Sequence, residues 1–198
     1  ARLQNFMRKH SNDKYYLQLD IRKYYYNINH NILRNFISKK ISDERIVNLI
    51  MLFVDTAKGI GLFVGNVLSQ LFGLIYLSPL DHFVKRFLKI KHYIRYVDDF
   101  VLVGLEKSEA HILKSKIESF LKDNLNLELS KFRIAKIKEG CNFVGFRTWK
   151  RVKFIRKHTL HNFSKAVKLQ KEASIISILG HAKHSSSHKY LISKLGAA

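Results

Sequence analysis

Two adjacent carboxylates, Asp98-Asp99, stand between two apolar runs: Tyr93-Ile94-Arg95-Tyr96-Val97 before them and Phe100-Val101-Leu102-Val103 after. Like charges side by side raise one another's pKa, so a buried Asp-Asp pair is unfavourable unless something neutralises it. A hard divalent cation does so, and Mg²⁺ takes a few carboxylates plus phosphate oxygens. Phosphoryl transfer by two metals needs at least two carboxylates at one point. One ion then acts on the attacking hydroxyl and the other on the leaving pyrophosphate. A third acid, Asp20, ends another strongly apolar run, Tyr16-Leu17-Gln18-Leu19-Asp20, and could converge on the same place. Taken blind, an Asp-Asp pair is more often an ordinary turn; the strand-like flanks reverse the odds here.

For the acids to meet, the chain must supply a hairpin and a neighbouring strand. His92 to Val103 reads as two short strands with the acids at their tip, and Tyr15 to Ile21 alternates as a strand. Residues 1–10 read as a helix end with Leu3, Phe6 and Met7 on one face. Asn29 or Asn31 caps the next helix, whose Ile32, Leu33, Phe36, Ile37 and Ile41 follow helical spacing. Ser42-Asp43 starts a second helix with Ile46, Leu49, Ile50 and Phe53 inward. A Gly-containing loop spans 55–66, and an apolar helix runs from about Val67 to Ile90, kinked at Pro79. Ser108 caps a helix to about Asn124, with Ala110, Leu113, Ile117, Phe120 and Leu121 inward. Short strands are expected near 127–137 and 141–149, followed by a mainly helical tail. No repeat or linker is evident. This order predicts an α+β fold, an antiparallel sheet backed by helices.

Composition narrows the partners. Thirty-six Lys and Arg against 15 Asp and Glu give the 198 residues a formal charge of +21, which makes nucleic acid the natural counterpart. Residues 147–198 hold twelve basic residues and one acid, Glu172, while residues 1–146 hold 24 and 14. The C-terminal quarter is therefore expected to grip a phosphate backbone. A hydrophobic content of 46% with one Pro and nine Gly fits a packed globular chain rather than a disordered one. The single Cys141 excludes an internal disulfide framework and fits a reducing compartment. The start lacks a signal pattern, and no apolar run approaches the roughly 18 residues of a membrane span. A soluble, cytoplasmic protein without membrane contact is expected.

Tyr96-Val97-Asp98-Asp99 resembles the YxDD box of reverse transcriptases. Asp20-Ile21-Arg22-Lys23-Tyr24-Tyr25 is similar to their first catalytic block, an Asp followed five residues later by an aromatic. Three further stretches keep the family's order. Gly65-Asn66-Val67-Leu68-Ser69-Gln70 stands where most members have Gln-Gly-x-x-x-Ser-Pro, Lys131 matches a later palm lysine, and Gly140-Cys141-Asn142-Phe143-Val144-Gly145-Phe146 resembles the primer-grip hairpin. The resemblance implies a polymerase palm over 1–150, including the end of a fingers helix at 1–12, and a small basic helical thumb over 151–198. It implies two Mg²⁺ ions, with Mn²⁺ as a substitute. Asp20 and Asp98 would be the principal ligands, the Ile21 carbonyl another, and Asp99 a supporting group. Tyr25 would be the steric gate that selects deoxynucleoside triphosphates. Lys23, Tyr24, Val64, Gly65, Asn66 and Lys131 would contact the nucleotide. Ser69, Gln70, Phe143, Gly145, Lys183 and His184 would contact template RNA and primer or cDNA. For the three tyrosines 24–26, plain strand-end packing is the competing reading, expected of at least one.

Val64-Gly65-Asn66-x-x-Ser69-Gln70 and the tail segment Gly180-His181-Ala182-Lys183-His184 resemble the reverse transcriptases of diversity-generating retroelements. That subtype implies error-prone copying at template adenines, a bacterial or phage-host setting, and a small basic helical-bundle accessory protein. Val64 occupies the position of an amide in most relatives, and a branched apolar side chain controls geometry differently. Phe63 departs from the pattern, where a Pro is usual. His181, His184 and His188 could suggest a metal site, but lack a nearby Cys or acid; phosphate contacts are the favoured reading. The family's fingers blocks precede Asp20 and are expected to be missing from this chain. The alternatives are a group II intron-like or phage-defence reverse transcriptase and, in another class, a catalytically silent nucleic-acid-binding fragment.

Overall fold

A computed structural model describes residues 2–55 and 59–195, which pack as two compact units, 15–134 and 1–14 with 135–198. This packing division falls near 134; the expected palm–thumb boundary near 150 is a separate, functional division. The reason for the packing division is local: the N-terminal helix and the strands beyond residue 140 pack with the tail.

The 15–134 unit is built on a sheet of order β2-β3-β1-β4, comprising β1 (Tyr15–Ile21), β2 (Tyr93–Tyr96), β3 (Asp99–Leu105) and β4 (Leu129–Lys136). β1 and β3 are antiparallel, with Leu17 opposite Leu102, Leu19 opposite Phe100 and Asp20 opposite Asp99. Residues directly opposite share a face. One face therefore carries Leu17, Leu19, Ile21, Phe100 and Leu102 into the main core, and the other carries Gln18, Asp20 and Asp99. Each large apolar side chain so buried contributes about 1.5–3 kcal/mol.

Helices cover the apolar face. α2 (His30–Ser38) is capped by the Asn29 side chain, which accepts from Asn31 and Ile32 N–H, and buries His30, Leu33 and Ile37. α6 (Lys107–Leu125) buries Ala110, Leu113, Ile117, Leu121 and Leu125, one stripe at helical spacing. Its first turn corrects the expected Ser108 cap: the cap is Glu106, whose N–H bonds the Glu109 carboxylate, while Ser108 lies inside the helix. Left-handed Asn126 ends it, and the Leu127 N–H reaches back to the Leu121 carbonyl.

Two other expectations change. α3 (Glu44–Val54) buries Val47, Met51 and Val54, whereas Ile46, Leu49 and Phe53 are exposed and Ile50 is only partly buried. The segment is apolar nearly all round, so periodicity alone did not fix which stripe faces inward. The run Val67–Phe87 is long and apolar enough by composition to span a membrane, against the expectation that no such run exists. Here it is broken: α4 (Val67–Tyr76) stops at Leu77, Pro79 lies in the first turn of α5 (Ser78–His82), and a π-turn covers Phe83–Phe87. Phe72, Tyr76, Leu77, Leu80 and Val84 join the core.

In the other unit, α1 (Arg2–Arg8) buries Leu3 and Met7. Gln4 Nε2 donates to the Trp149 carbonyl and Arg8 Nε to that of Lys150. β5 (Cys141–Phe143), β6 (Phe146–Thr148) and β7 (Lys153–Ile155) form an antiparallel sheet. Ile155 and Phe146 pack with Phe163, Ala182 and Leu191 of α7 (Lys157–Lys168), α8 (Glu172–Ala182) and α9 (His188–Leu195).

Candidate active site

The β2–β3 hairpin turns on two residues, Val97 and Asp98, between the paired Tyr96 and Asp99. Val97 sits at φ 55°, a left-handed conformation that costs a β-branched residue about 1–3 kcal/mol and persists only where neighbours enforce it. Val97 packs on the main core, and Arg95 restrains it further. Its Nη1 donates to the Val97 carbonyl at 2.9 Å, while Nε and Nη2 grip the two Asp81 carboxylate oxygens at 2.9 and 2.5 Å. The Tyr93 hydroxyl donates to the same Asp81 at 2.7 Å. Burial pushes the Asp81 carboxyl up, but the bonds and charge of Arg95 outweigh it and hold the group below the usual range. Neither Arg95 nor Asp81 carried a chemical signal in the sequence. They bear on the site through the turn they hold.

Asp20 and Asp99 face each other across β1 and β3, both half-buried. Gln18 Nε2 donates to Asp99 Oδ1 at 2.9 Å, and the Ser130 hydroxyl on β4 donates to the Asp20 carboxylate. Gln18, Asp20 and Asp99 line a cavity of about 310 Å³ with Lys131, Phe132 and Arg133, so Lys131 lies on the acids' side of the sheet. At the turn, burial raises the Asp98 carboxyl above its ordinary value, and the charge of Asp20 raises it further. The Tyr25 hydroxyl is pushed up by burial and then by Asp98. Asp20, Asp98 and Tyr25 thus form one electrostatically connected group.

A second cavity, of about 490 Å³, gathers Tyr25, Val64, Gly65, Asn66, Ser69 and Gln70 with Asp81, Arg95, Tyr96 and Val97. Asn66 caps α4 by accepting from the Leu68 N–H at 2.9 Å. The Tyr25 ring lies against Gly73 of α4, where an added Cβ would meet its Cε1 at 3.0 Å. Gly73 went unmarked in the sequence because its role depends on a contact 48 residues away, with a ring whose direction only the fold sets.

Other expected residues fall elsewhere. The Tyr24 ring is buried, and its hydroxyl donates to the Gly73 carbonyl, so its side chain is core, as the packing alternative held for at least one tyrosine. Lys23, left-handed at φ 43°, lines a separate cavity of about 380 Å³ with Arg22, Asn27, Asn126 and Glu128. Ile21 ends β1 with its side chain buried. Phe143, Gly145, Lys183 and His184 belong to the other packing unit. Phe143 is buried there, Lys183 and His184 are exposed, and Gly145 abuts the His181 ring, which stacks on Phe146 with centroids 4.4 Å apart.

The profile of the family described as reverse transcriptase (RNA-dependent DNA polymerase) matches residues 2–148. The chain belongs to the reverse transcriptase family. Solved structures agree on the fold. Apo telomerase from Candida tropicalis aligns with a TM-score of 0.60 at 17% identity, covering 81% of this chain and 35% of that one. Candida tropicalis telomerase in complex with a fragment of telomeric RNA gives 0.61 at 19%, covering 98% and 40%. A foamy viral protease-reverse transcriptase in complex with an RNA/DNA hybrid gives 0.53 at 18%, covering 99% and 25%. The chain thus spans well under half the length of these relatives. No curated protein sequence matches it.

Whether this reverse transcriptase domain suits a divalent metal can be asked of its own oxygens. Among the described residues, no three His, Cys, Asp or Glu side chains form a ready cluster. The charge of Asp20 nonetheless disfavours ionisation of Asp98, and Asp99 has Gln18 as a donor. Carboxylates brought together in this way are a hard-oxygen set of the kind a divalent cation neutralises. Mg²⁺ is commonly bound by one or two carboxylates and completed by substrate phosphates, so the donors fit it.

Proposed function

We propose that this chain is the palm, followed from residue 151 by a thumb, of an RNA-directed DNA polymerase of the diversity-generating type. The observation that carries the reading is the pairing of Asp20 with Asp99 across β1 and β3, with Asp98 at the adjoining turn and Tyr25 in the cavity walled by Val64, Gly65 and Asn66. Asp20 and Asp98 hold the divalent ions, Mg²⁺ or Mn²⁺, with the Ile21 carbonyl, and Asp99 supports them. Bound there, the ions supply Lewis-acid stabilisation for nucleotidyl transfer. The chain's own groups do the rest. Tyr25, backed by Gly73, presents a flat ring to the sugar of a deoxynucleoside triphosphate and leaves no room for a 2′-hydroxyl. Lys131 offers positive charge near the acids for the departing pyrophosphate. The backbone of Lys23 and Tyr24 serves the triphosphate, and Gly65 and Asn66 let the chain approach the new base pair. Ser69, Gln70, Phe143, Gly145, Lys183 and His184 contact primer and template, and the basic tail makes that binding strongly salt-dependent.

The subtype rests on Val64, which is 58% exposed and lines the nucleotide cavity without an amide to offer. The small basic accessory protein belongs to the same proposal. The test is extension of a primed RNA template by the full-length protein with Mg²⁺, against an Asp98→Ala control. Extension absent from the control supports the polymerase. No extension above the control, with RNA still bound, leaves a silent binding fragment. Val64→Gln then decides the subtype: misincorporation opposite template adenines should fall, and an unchanged error spectrum rejects the link.

A further inference from the structure

His30 opens α2 and is 3% exposed. Both ring nitrogens meet acceptors: Nδ1 lies 2.9 Å from Asp55 Oδ1, and Nε2 lies 2.7 Å from the Gly61 carbonyl oxygen. A carbonyl only accepts, so Nε2 donates. The Asp55 side chain is 58% exposed and, as a carboxylate, also only accepts. The ring thereby bridges the two groups.

This ring closes a lacing of two chain segments. The Leu62 N–H donates to the Tyr25 carbonyl at 2.7 Å, the Gly61 N–H to Ile28 at 2.8 Å, and the His30 N–H to Gly59 at 3.2 Å. Asn29 and Ile60 form an antiparallel bridge. Gly61, at φ 91°, passes so close that a Cβ would stand 3.1 Å from the Tyr26 carbonyl oxygen. One laced segment carries Tyr25, and the other leads directly into Val64, Gly65 and Asn66; all four wall the same cavity. Besides Tyr25 and Tyr26 on the laced segment itself, Tyr76 meets this corner. Its hydroxyl accepts from the Asn29 N–H at 3.3 Å and donates to the Leu125 carbonyl at 2.7 Å. Burial pushes it up to about 12, so it stays neutral.

We propose that His30, bridging Asp55 and the Gly61 carbonyl through its two ring nitrogens, is a positioning residue that sets the spacing between Tyr25 and the Val64-Gly65-Asn66 loop. That spacing governs how tightly an incoming deoxynucleoside triphosphate is held. The consequence for the nucleotide rests on the polymerase reading; the clamp does not.

Hydrogen exchange on the full-length protein tests the clamp. In Asp55→Ala, exchange in peptides spanning 59–66 should quicken roughly tenfold. Unchanged exchange in the variant overturns the clamp whatever the activity. Primer extension tests the consequence. Asp55→Ala should raise the KM for deoxynucleotides roughly tenfold while leaving kcat within about twofold, and Asp55→Glu should keep KM near the wild-type value. A loosened loop with unchanged KM overturns the positioning role. A wild type that extends no primer removes the polymerase reading and the nucleotide consequence together, while hydrogen exchange still decides the clamp.

Discussion

Replacing Arg95 with lysine keeps a positive charge on β2 and removes the planar fork that joins Asp81 to the Val97 carbonyl. The magnitude follows from what each partner retains. The two side chains are 9% and 28% exposed, so the pair is largely withdrawn from water. Deleting one member of a buried pair costs about 3–5 kcal/mol. Asp81 keeps the Tyr93 hydroxyl and partial hydration, which lowers the expected loss for Arg95→Ala to about 2–3 kcal/mol. Arg95→Lys retains one ionic contact and should lose about 1–2 kcal/mol. Activity should fall further than stability does. Once its carbonyl loses the Arg95 donor, Val97 at φ 55° keeps only its packing on the core, and relaxation displaces the adjacent Asp98. Releasing even about 1.4 kcal/mol of that strain corresponds to roughly a tenfold loss of rate.

Urea unfolding of Arg95→Lys, Asp81→Asn and the double variant gives the coupling between the two residues, expected to exceed about 1 kcal/mol. Primer extension of the same proteins, well below their unfolding midpoints, separates the turn's effect from global stability. A coupling below about 0.5 kcal/mol, or extension by Arg95→Lys at the wild-type rate, would refute the view that this pair holds the catalytic turn.

Asp98→Asn should abolish extension yet stabilise the metal-free fold. The Asp98 carboxyl is raised by burial and by Asp20, so its neutral form favours folding and that contribution is lost as pH rises through the raised value. The gain in the variant, a few tenths to about 1 kcal/mol after solvent screening, should appear at neutral pH and vanish well below the carboxylate range. A melting series across pH reads it, and destabilisation at neutral pH would contradict it. Gly73→Ala pushes a methyl group against the Tyr25 ring and should alter the ratio of deoxy- to ribonucleotide incorporation at near-normal stability. An unchanged ratio would separate Gly73 from sugar selection. Gly140→Ala places a Cβ 2.5 Å from Trp149 Cε2 at φ 76° and should cost about 2–4 kcal/mol, measurable by denaturant unfolding.

The strands around the acids were legible because alternation and register reinforce each other. Leu17, Leu19 and Ile21 pointing one way oblige Gln18 and Asp20 to point the other, and a hairpin at Asp98 brings Asp99 opposite Asp20. The caps were legible where a short side chain had one task, as at Asn29. They were not at Ser108, because Glu106 and Glu109 formed a reciprocal box whose first member is an unusual cap. The inward stripe of α3 was misread because Ile46, Leu49, Leu52 and Phe53 compete on equal terms with Val47, Met51 and Val54.

What escaped sequence reasoning has one physical character. Arg95, Asp81, His30 and Gly73 each act at one position, through a partner brought close only by the folded chain. Periodicity reports repeated burial, and a motif reports residues adjacent in sequence; neither reports an arginine on a strand meeting an aspartate 14 residues back in a helix. Asp20 and Asp99 lie on strands and Asp98 on the turn joining two, so alternation announces them. Of the residues that hold the site, Arg95, Asp81 and His30 are polar, largely withdrawn from water and isolated, and in the chain they look like ordinary surface groups. Their energetic signature is larger than that of a surface charge, because a polar group withdrawn from water must find its partner or destabilise the fold. The partners therefore follow from satisfying Asp81, Val97 and His30 in turn, and each leads back to a wall of the same cavity.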